Sequence, residues 1–494
     1  MEQARDCLIF LESYCHRHFI MVEISQIKYL CFEGGGGKGL AYLGVIQALE
    51  EIINKKIGPP EGGTPYSITS ENKTPIIKIS QPIKQRQILG VSGSSAGAIT
   101  AFMVAMGMSH YEILQETNKV VRLSLGTLPN DIAVTQFEVF FDKPDLYKYR
   151  TNNRKSPSRE YNNLSLAIRI IGNILSEFLN LFKLPFKPFV SDYEILAKKV
   201  LFTESNPLAA TNLKQYFLSI VYNRGLLSGD ASRKYFSELI EKYLFPKLSS
   251  LKMKKIKSKG ENITFQDFFY MTGVDLVVTG TNISFGKPKY FSAAFTPDFS
   301  VVDAVSLSMS IPFLFRPYVI ESEVNLDSNL PADYNKDYLG LYVDGGMLNN
   351  YPLHAFDYRP AKNINYQGDF ANYFLASPNI SLSATEFCDC ILGIRLQNSV
   401  KEYEVSDDFK EGNSFIIRDF IGQLYSTILY PSEDGQIRSS LENNLSISID
   451  VTDLELLDFS NPLINRQYRK LNALAEKQEK VIENAYKKIY ENVQ

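Results

Sequence analysis

Short apolar runs that break at small residues, each followed by apolar positions at helical spacing, set the pattern of the chain. Residues 27–33, "IKYLCFE", form an apolar segment of strand type that runs into "GGGGKG". Beyond it Leu43, Val45, Ile46, Leu49, Ile52 and Ile53 recur at helical spacing until Gly58, Pro59 and Pro60 stop the helix. The Pro-, Gly- and Ser-rich stretch that follows reads as an exposed loop. Residues 87–107, "QILGVSGSSAGAITAFMVAMG", repeat the arrangement: apolar strand, turn of small residues, helix-compatible run. Two strand-turn-helix units in succession predict a parallel sheet with helices on its faces.

Farther along, "VDLVVTGTNI" and "YFSAAF" predict two strands joined by the turn "SFGKPK". "LGLYV" and "DCILGIRL" predict two more, the first ending in Asp344-Gly345-Gly346. The last thirty or so residues carry apolar positions at helical spacing among many Glu and Lys, which predicts a surface helix.

Composition narrows the classes. The 494 residues carry a net charge of −3, without the basic excess of a nucleic-acid binder, so no nucleic-acid partner is expected. Five cysteines, an odd number, suit reduced thiols, and no cluster has metal-ligand spacing, so neither a metal nor another cofactor is expected. The N-terminus lacks a basic region followed by an unbroken apolar run, and no stretch of about 18 uncharged apolar residues occurs. These features predict a cytoplasmic protein with at most peripheral membrane contact, export by a specialised route remaining open.

Gly93-Ser94-Ser95-Ala96-Gly97 matches G-x-S-x-G between a strand and a helix, the setting of a nucleophile elbow; the plain alternative is a turn with serine as helix cap. A serine hydroxyl needs a base. Of four histidines only His354, in "NNYPLHAFD", stands in the order of a Ser-His-Asp site. Asp344 is the more economical base: it ends an apolar strand before two glycines, where open α/β sheets place their sites, and burial would raise its basicity. Its alternative is an Asx turn. Consecutive glycines at a helix mouth aim several amides at one anion, whether an oxyanion or a phosphate. Lys38 opposes the helix dipole, a cost that nearby negative charge would offset.

Together these motifs resemble the patatin-like phospholipase family: Gly34–Gly39 matches G-G-G-x-[RK]-G, Ser95 the serine of G-x-S-x-G, and Asp344 the aspartate of D-G-[GA]. "DAVSLSMSIPFLFRP" (residues 303–317), Asn350 and Pro352 extend the resemblance, which covers residues 27–107 and 225–396. It implies a three-layer α/β/α sandwich with a mixed, mostly parallel sheet. It also implies a calcium-independent lipid acyl hydrolase of phospholipase A or lysophospholipase type. Ser95 would be nucleophile and Asp344 proton acceptor. Gly35, Gly36 and Gly37 would form the oxyanion hole, with Lys38, Gly93, Gly97 and Gly345 in support. The expected partner is a phospholipid or membrane surface, with room for an activator. The rival readings are a Ser-His-Asp esterase using His354, a silent lipid-binding module, and a nucleotide binder using the glycine loop.

The expected organisation is an N-terminal extension (1–25), a catalytic domain (26–400) and a C-terminal segment (401–494) ending in a helix. Residues 109–224 form a largely helical insertion or lid. Within it residues 164–190 are densely apolar, which fits a buried helix or a lipid-facing flap. The basic stretch 247–260 reads as a solvated loop or a contact for anionic headgroups.

Overall fold

A computed structural model describes residues 23–54, 74–123, 132–140, 224–248, 254–321, 336–357, 390–398, 440–454 and 459–493. The N-terminal extension before residue 23 and the apolar stretch 164–190 lie outside them. The strands, in chain order, are β1 (Tyr29–Phe32), β2 (Gly90–Gly93), β3 (Val120–Leu123), β4 (Ile132–Thr135), β5 (Gly225–Leu227), β6 (Asp275–Asn282), β7 (Lys287–Phe291), β8 (Phe313–Phe315), β9 (Tyr318–Ile320), β10 (Gly340–Val343), β11 (Ile391–Gln397) and β12 (Ser446–Asp450). The helices used below are α1 (Tyr42–Ile53), α2 (Ala96–Ala105), α3 (His110–Thr117), α4 (Asp230–Leu239), α5 (Phe265–Thr272), α6 (Val301–Ser308) and α7 (Asn472–Asn492).

Eight strands form one sheet in the order β12-β11-β1-β2-β6-β10-β9, with β7 also paired to β6. The run from β12 to β6 is parallel, and β7, β10 and β9 join antiparallel. The sheet is therefore mixed and mostly parallel, and it is buried on both faces as parallel strands require. Alternation along β1 shows the two faces directly. Leu30 and Phe32 enter a large core with α1, α2, α5 and α6, while Tyr29 and Cys31 enter a smaller one with Leu353 and Phe356. The fold is the expected three-layer α/β/α sandwich.

Pairing along β6 delivers the ends of two strands to one place. Gly93 of β2 pairs with Val278, and Phe291 of β7 also pairs with Val278, so β2 and β7 flank β6 on opposite sides. Thr281 and Asn282 pair with both β7 and β10, so β10 lies on the β2 side. β10 runs antiparallel to β6 and β2 parallel to it; their C-terminal ends therefore point at each other. Only Thr279 and Gly280 separate the paired positions Val278 and Thr281, a span of roughly 10 Å at strand rise.

Two elements differ from expectation. The turn after β6 is confined to residues 283–286, and Lys287, Pro288 and Lys289 belong to β7 rather than to the turn. Proline lacks a ladder donor and is tolerated at a sheet margin, where β7 lies. The C-terminal helix is not a surface helix throughout. A π-helical segment, Ile464–Arg469, ends at Lys470 with φ 60°, and α7 then buries Val481, Ile482, Ala485, Tyr486 and Ile489 against α1. With β12 in the main sheet as well, a boundary at residue 400 cuts through the packed body.

Gly44 makes the α1–α7 contact close: a Cβ there would stand 2.0 Å from the Ile482 carbonyl oxygen. Glycine to alanine in a helix ordinarily gains about 1 kcal/mol. Here the sign reverses. Gly44→Ala is expected to lose about 1–3 kcal/mol through forced separation of the helices, read as a lower urea midpoint; a raised midpoint would refute the close contact.

Candidate active site

Ser95 stands between β2 and α2 with φ 50° and ψ −121°, a conformation that is a genuine outlier for a side chain-bearing residue. The flanking glycines permit it by close approach. A Cβ on Gly97 would meet the Phe32 carbonyl oxygen at 2.2 Å, and one on Gly93 would meet the Gly97 carbonyl oxygen at 2.2 Å. The helix start is thus pressed onto the end of β1. Serine as a plain helix cap does not describe this turn, since Ser95 makes no side-chain cap bond.

Across the gap between β2 and β10, the Ser95 hydroxyl donates to Asp344 Oδ2 at 2.7 Å. Both residues are buried, at 8% and 2% exposure. The other carboxylate oxygen, Oδ1, accepts from the Gly346 amide at 2.7 Å. Burial raises the Asp344 pKa from the ordinary carboxylate range to about 7, against the bonds from Ser95 and Gly346, which lower it.

The end of α6 clamps both partners. The Ser95 amide donates to Ser308 Oγ (3.0 Å), the Gly345 amide to the Ser308 carbonyl (3.0 Å) and the Asp344 amide to the Ser310 carbonyl (2.9 Å). Gly345 leaves no room for a side chain, since a Cβ would lie 2.2 Å from Thr279 Oγ1. Sequence reasoning gave Ser308 and Ser310 no role. Their signal was the alternation of serines in "SLSMS" at the end of an otherwise apolar helix.

The glycine loop leads through a 3₁₀ turn, Gly36–Ala41, directly into α1. Gly36 has φ 53°, where a Cβ would strain the chain. The first amides of such a turn have no acceptor within it. The Lys38 amide bonds to the Gly35 carbonyl at 3.0 Å. Gly36 and Gly37 share a cavity wall with Ser95, whereas Gly35 packs toward Leu396 and is not part of that wall. Lys38 is buried with its ammonium 2.8 Å from Asn398 Oδ1, beyond the end of β11, and does not line the cavity either.

Asn350 ties this loop to the Asp344 turn. Its carbonyl accepts from the Gly34 amide (2.9 Å) and its Nδ2 donates to the Gly34 carbonyl (3.1 Å). Glu33, buried beside it, accepts the Leu396 amide at 2.7 Å and lies 3.4 Å from Asn350 Nδ2.

His354 is engaged elsewhere. Nδ1 lies 2.7 Å from Asp357 Oδ2 and Nε2 lies 3.2 Å from Glu442 Oε1, and the bond to Asp357 is the main cause of its raised pKa. A Ser-His-Asp site needs a neutral imidazole on the serine.

The cavity at Ser95 is narrow, about 100 Å³, with no charged residue among the described residues of its lining. By the measure in which one water needs about 10–15 Å³, it admits a short run of methylenes. Its walls include Leu40, Ile99, Met103, Phe140 and Phe459. Phe140 comes from the segment expected as an insertion and Phe459 from the C-terminal segment. The basic stretch is turned inward where it is described: Lys257 Nζ bonds to the Phe245 carbonyl (3.0 Å), and Lys247 and Lys259 to Gly107 and Asp267.

Probable lipid hydrolase 463L of invertebrate iridescent virus 6 is 31% identical over 142 residues, 28% of this chain and 41% of that protein. The chain thus spans about two fifths of the length of this curated relative. Among solved structures, VipD from Legionella pneumophila has 17% identity and a TM-score of 0.34, covering 94% of this chain and 66% of its own. Full-length ExoU, solved with SpcU from the type III secretion system of Pseudomonas aeruginosa, has 15% identity and a TM-score of 0.32, covering 96% and 54%. Likenesses this distant carry no argument about the site. The patatin-like phospholipase model, however, matches residues 30–357, which take in the glycine loop, Ser95 and Asp344 and make up more than half of the sequence. The chain belongs to the patatin-like phospholipase family.

Proposed function

We propose that the chain hydrolyses fatty-acyl esters of lipids, as a phospholipase A or lysophospholipase, through an acyl-enzyme on Ser95 and without calcium. The observation that carries this reading is the meeting of a buried Ser95–Asp344 hydrogen bond with a narrow cavity walled by Gly36 and Gly37 and, among the described residues, by no charged side chain. An acyl chain enters such a cavity favourably; a nucleotide phosphate does not. The name of the viral relative, a probable lipid hydrolase, supports the same class.

In this reading the Ser95 proton passes to Asp344 Oδ2 as Oγ attacks the acyl carbonyl. Amides at Gly36 and Gly37, the loop glycines that wall the cavity, receive the charge that develops on the carbonyl oxygen. Collapse of the tetrahedral intermediate breaks the ester bond, and the proton on Asp344 goes to the leaving alcohol. Water then attacks the acyl-serine, gives a proton to Asp344, and Ser95 recovers its proton as the fatty acid leaves. A carboxyl with a pKa near 7 is matched to both directions of transfer at neutral pH.

Ser95→Ala and Asp344→Asn are each expected to lower fatty-acid release from lipid micelles in excess chelator by about a thousandfold or more. His354→Ala should keep turnover within about threefold, since its imidazole serves Asp357 and Glu442. Undiminished release by either site variant would refute the dyad. Failure of a fluorophosphonate to label Ser95, with vesicle binding kept, would favour the silent lipid-binding alternative.

The Asp344 titration has two signatures with opposite signs. The base must be ionised, so kcat/KM is expected to rise through an apparent pKa of about 7. Stability runs the other way. The folded state binds the proton more tightly than the unfolded state, so between the ordinary value of 3.8 and about 7 stability falls as pH rises. At pH 8 the burial cost is on the order of a few kcal/mol. Asp344→Asn removes that titration, and its melting temperature relative to wild type should climb from pH 4 to pH 8. A difference independent of pH would show that the carboxyl is not raised.

A further inference from the structure

Met309 and Phe315 line the apolar cavity at Ser95 and also a second cavity of opposite character. The second holds about 380 Å³. Arg224, Arg233 and Arg316 contribute to its lining with the serines 228, 232, 306 and 310, and among the described residues no acidic side chain does. Ser310, on this wall, is the residue whose carbonyl holds the Asp344 amide.

Local structure brings the arginines together. β5 pairs with β8, joining Gly225 to Phe313 and Leu227 to Phe315, which sets Arg224 before one strand and Arg316 after the other. The Arg316 amide is fixed to the Leu227 carbonyl at 2.8 Å. Arg233 comes from the start of α4, whose N-cap, Gly229, also faces the cavity and makes no side-chain cap bond. The positive end of that helix adds to the same field.

The three charges are not equally answered. Arg233 Nε lies 2.6 Å from Asp303 Oδ1, with Glu261 at 3.9 Å, and Asp303 also accepts from the Tyr318 hydroxyl at 2.7 Å. Arg233 is therefore a braced wall. Among the described residues the Arg316 guanidinium has one carboxylate at ion-pair distance, Asp230 at 4.0 Å, the limit of an ion pair. Arg224 is exposed, and among the described residues no carboxylate lies within ion-pair distance of it. Two guanidinium forks thus border a space that holds no acidic side chain among the described residues, while the hydroxyls of Ser232 and Ser310 already donate to the Gly229 and Ser306 carbonyls and offer their oxygens only as wall. Guanidinium recognises phosphate with two parallel N–H bonds.

We infer that this cavity is a phosphate subsite, and that it takes the phosphodiester of a glycerophospholipid whose acyl ester lies at Ser95. The inference rests on the acyl-hydrolase reading and narrows its substrate to phosphate-bearing lipids over neutral acylglycerols. Met309 and Phe315 form the partition, with the acyl chain on the apolar side and the headgroup on the arginine side.

The test compares kcat/KM for fatty-acid release from dioleoylphosphatidylglycerol and from dioleoylglycerol in the same neutral detergent micelles. Wild type, Arg316→Gln and Arg224→Gln are assayed as full chains. The expected result is a fall of about tenfold in the phospholipid-to-diacylglycerol ratio for each variant, the loss of one charge-assisted contact. A ratio unchanged in both variants, or both lipids falling together, overturns the assignment. A second arm titrates inorganic phosphate alone into Ser95→Ala and into Ser95→Ala with Arg316→Gln, by calorimetry. Phosphate binding abolished by Arg316→Gln together with an unchanged lipid ratio identifies a site for free phosphate and overturns the headgroup role. If wild type releases fatty acid from neither lipid, the hydrolase reading has failed; the phosphate titration then decides the anion pocket by itself.

Discussion

Two strands that share one side of β6 and run toward each other are the constraint on which the site depends. β2 ends at Gly93 opposite Val278, and β10 ends at Val343 opposite Thr281. Neither can advance without displacing the other, so each must turn out of the sheet within the gap. The chain does so with Ser95 at one end and Asp344 at the other, and their 2.7 Å hydrogen bond closes the space between. A parallel strand presents its C-terminal end at one sheet margin; only a strand of opposite direction brings a second C-terminal end to face it. The mixed sheet is therefore a condition for the pairing of these two side chains.

The same gap explains the supporting contacts. Turning out of a sheet strands backbone amides that the ladder would otherwise satisfy. The amides of Ser95, Asp344 and Gly345 are satisfied by Ser308 and Ser310 at the end of α6. The Gly346 amide is satisfied by the Asp344 carboxylate itself. On the other flank, Asn350 and Glu33 tie the glycine loop to the Asp344 turn and to β11. Each bond that repairs the broken ladder also fixes a site group, and the strained φ of Ser95 is sustained by the packing of Gly97 on β1.

What could be read from the chain follows from how local each feature is. The strand-turn-helix units, the glycine loop, Ser95 and Asp344 were legible because each lies in a short segment whose residues share one turn. His354 and Asp344 were both candidate bases by sequence; the structure sets Asp344 on the Ser95 hydroxyl and the His354 imidazole between Asp357 and Glu442. Lys38 looked like a charge for the anion because it follows the glycines; its side chain instead reaches Asn398, a residue 360 positions away. Ser308, Ser310 and the arginine cavity depend on pairings between distant strands, β5 with β8 and β6 with β10, that no local pattern encodes. The C-terminal helix had the charge pattern of a surface element, and the missing signal was in α1: Gly44, which admits the Ile482 backbone.

The cavity walls and the Ser95–Asp344 pair come from different parts of the chain. The groups at the β2–β10 gap come from residues 33–97 and 308–350, held by the sheet. The apolar walls draw on Phe137 and Phe140 and on Phe459, from segments outside those ranges. Changes in these outer segments alter the depth and width of the cavity while β6 keeps Ser95 and Asp344 in register. A sheet that holds Ser95 and Asp344 beneath segments that wall the cavity lets those walls vary without disturbing the pair. The aromatic partition at Phe315 belongs to both: it follows the α6 end that clamps Asp344 and faces the arginines on its far side. The wall that faces the arginines and the carbonyl that holds the Asp344 amide are in this way parts of one short run of backbone.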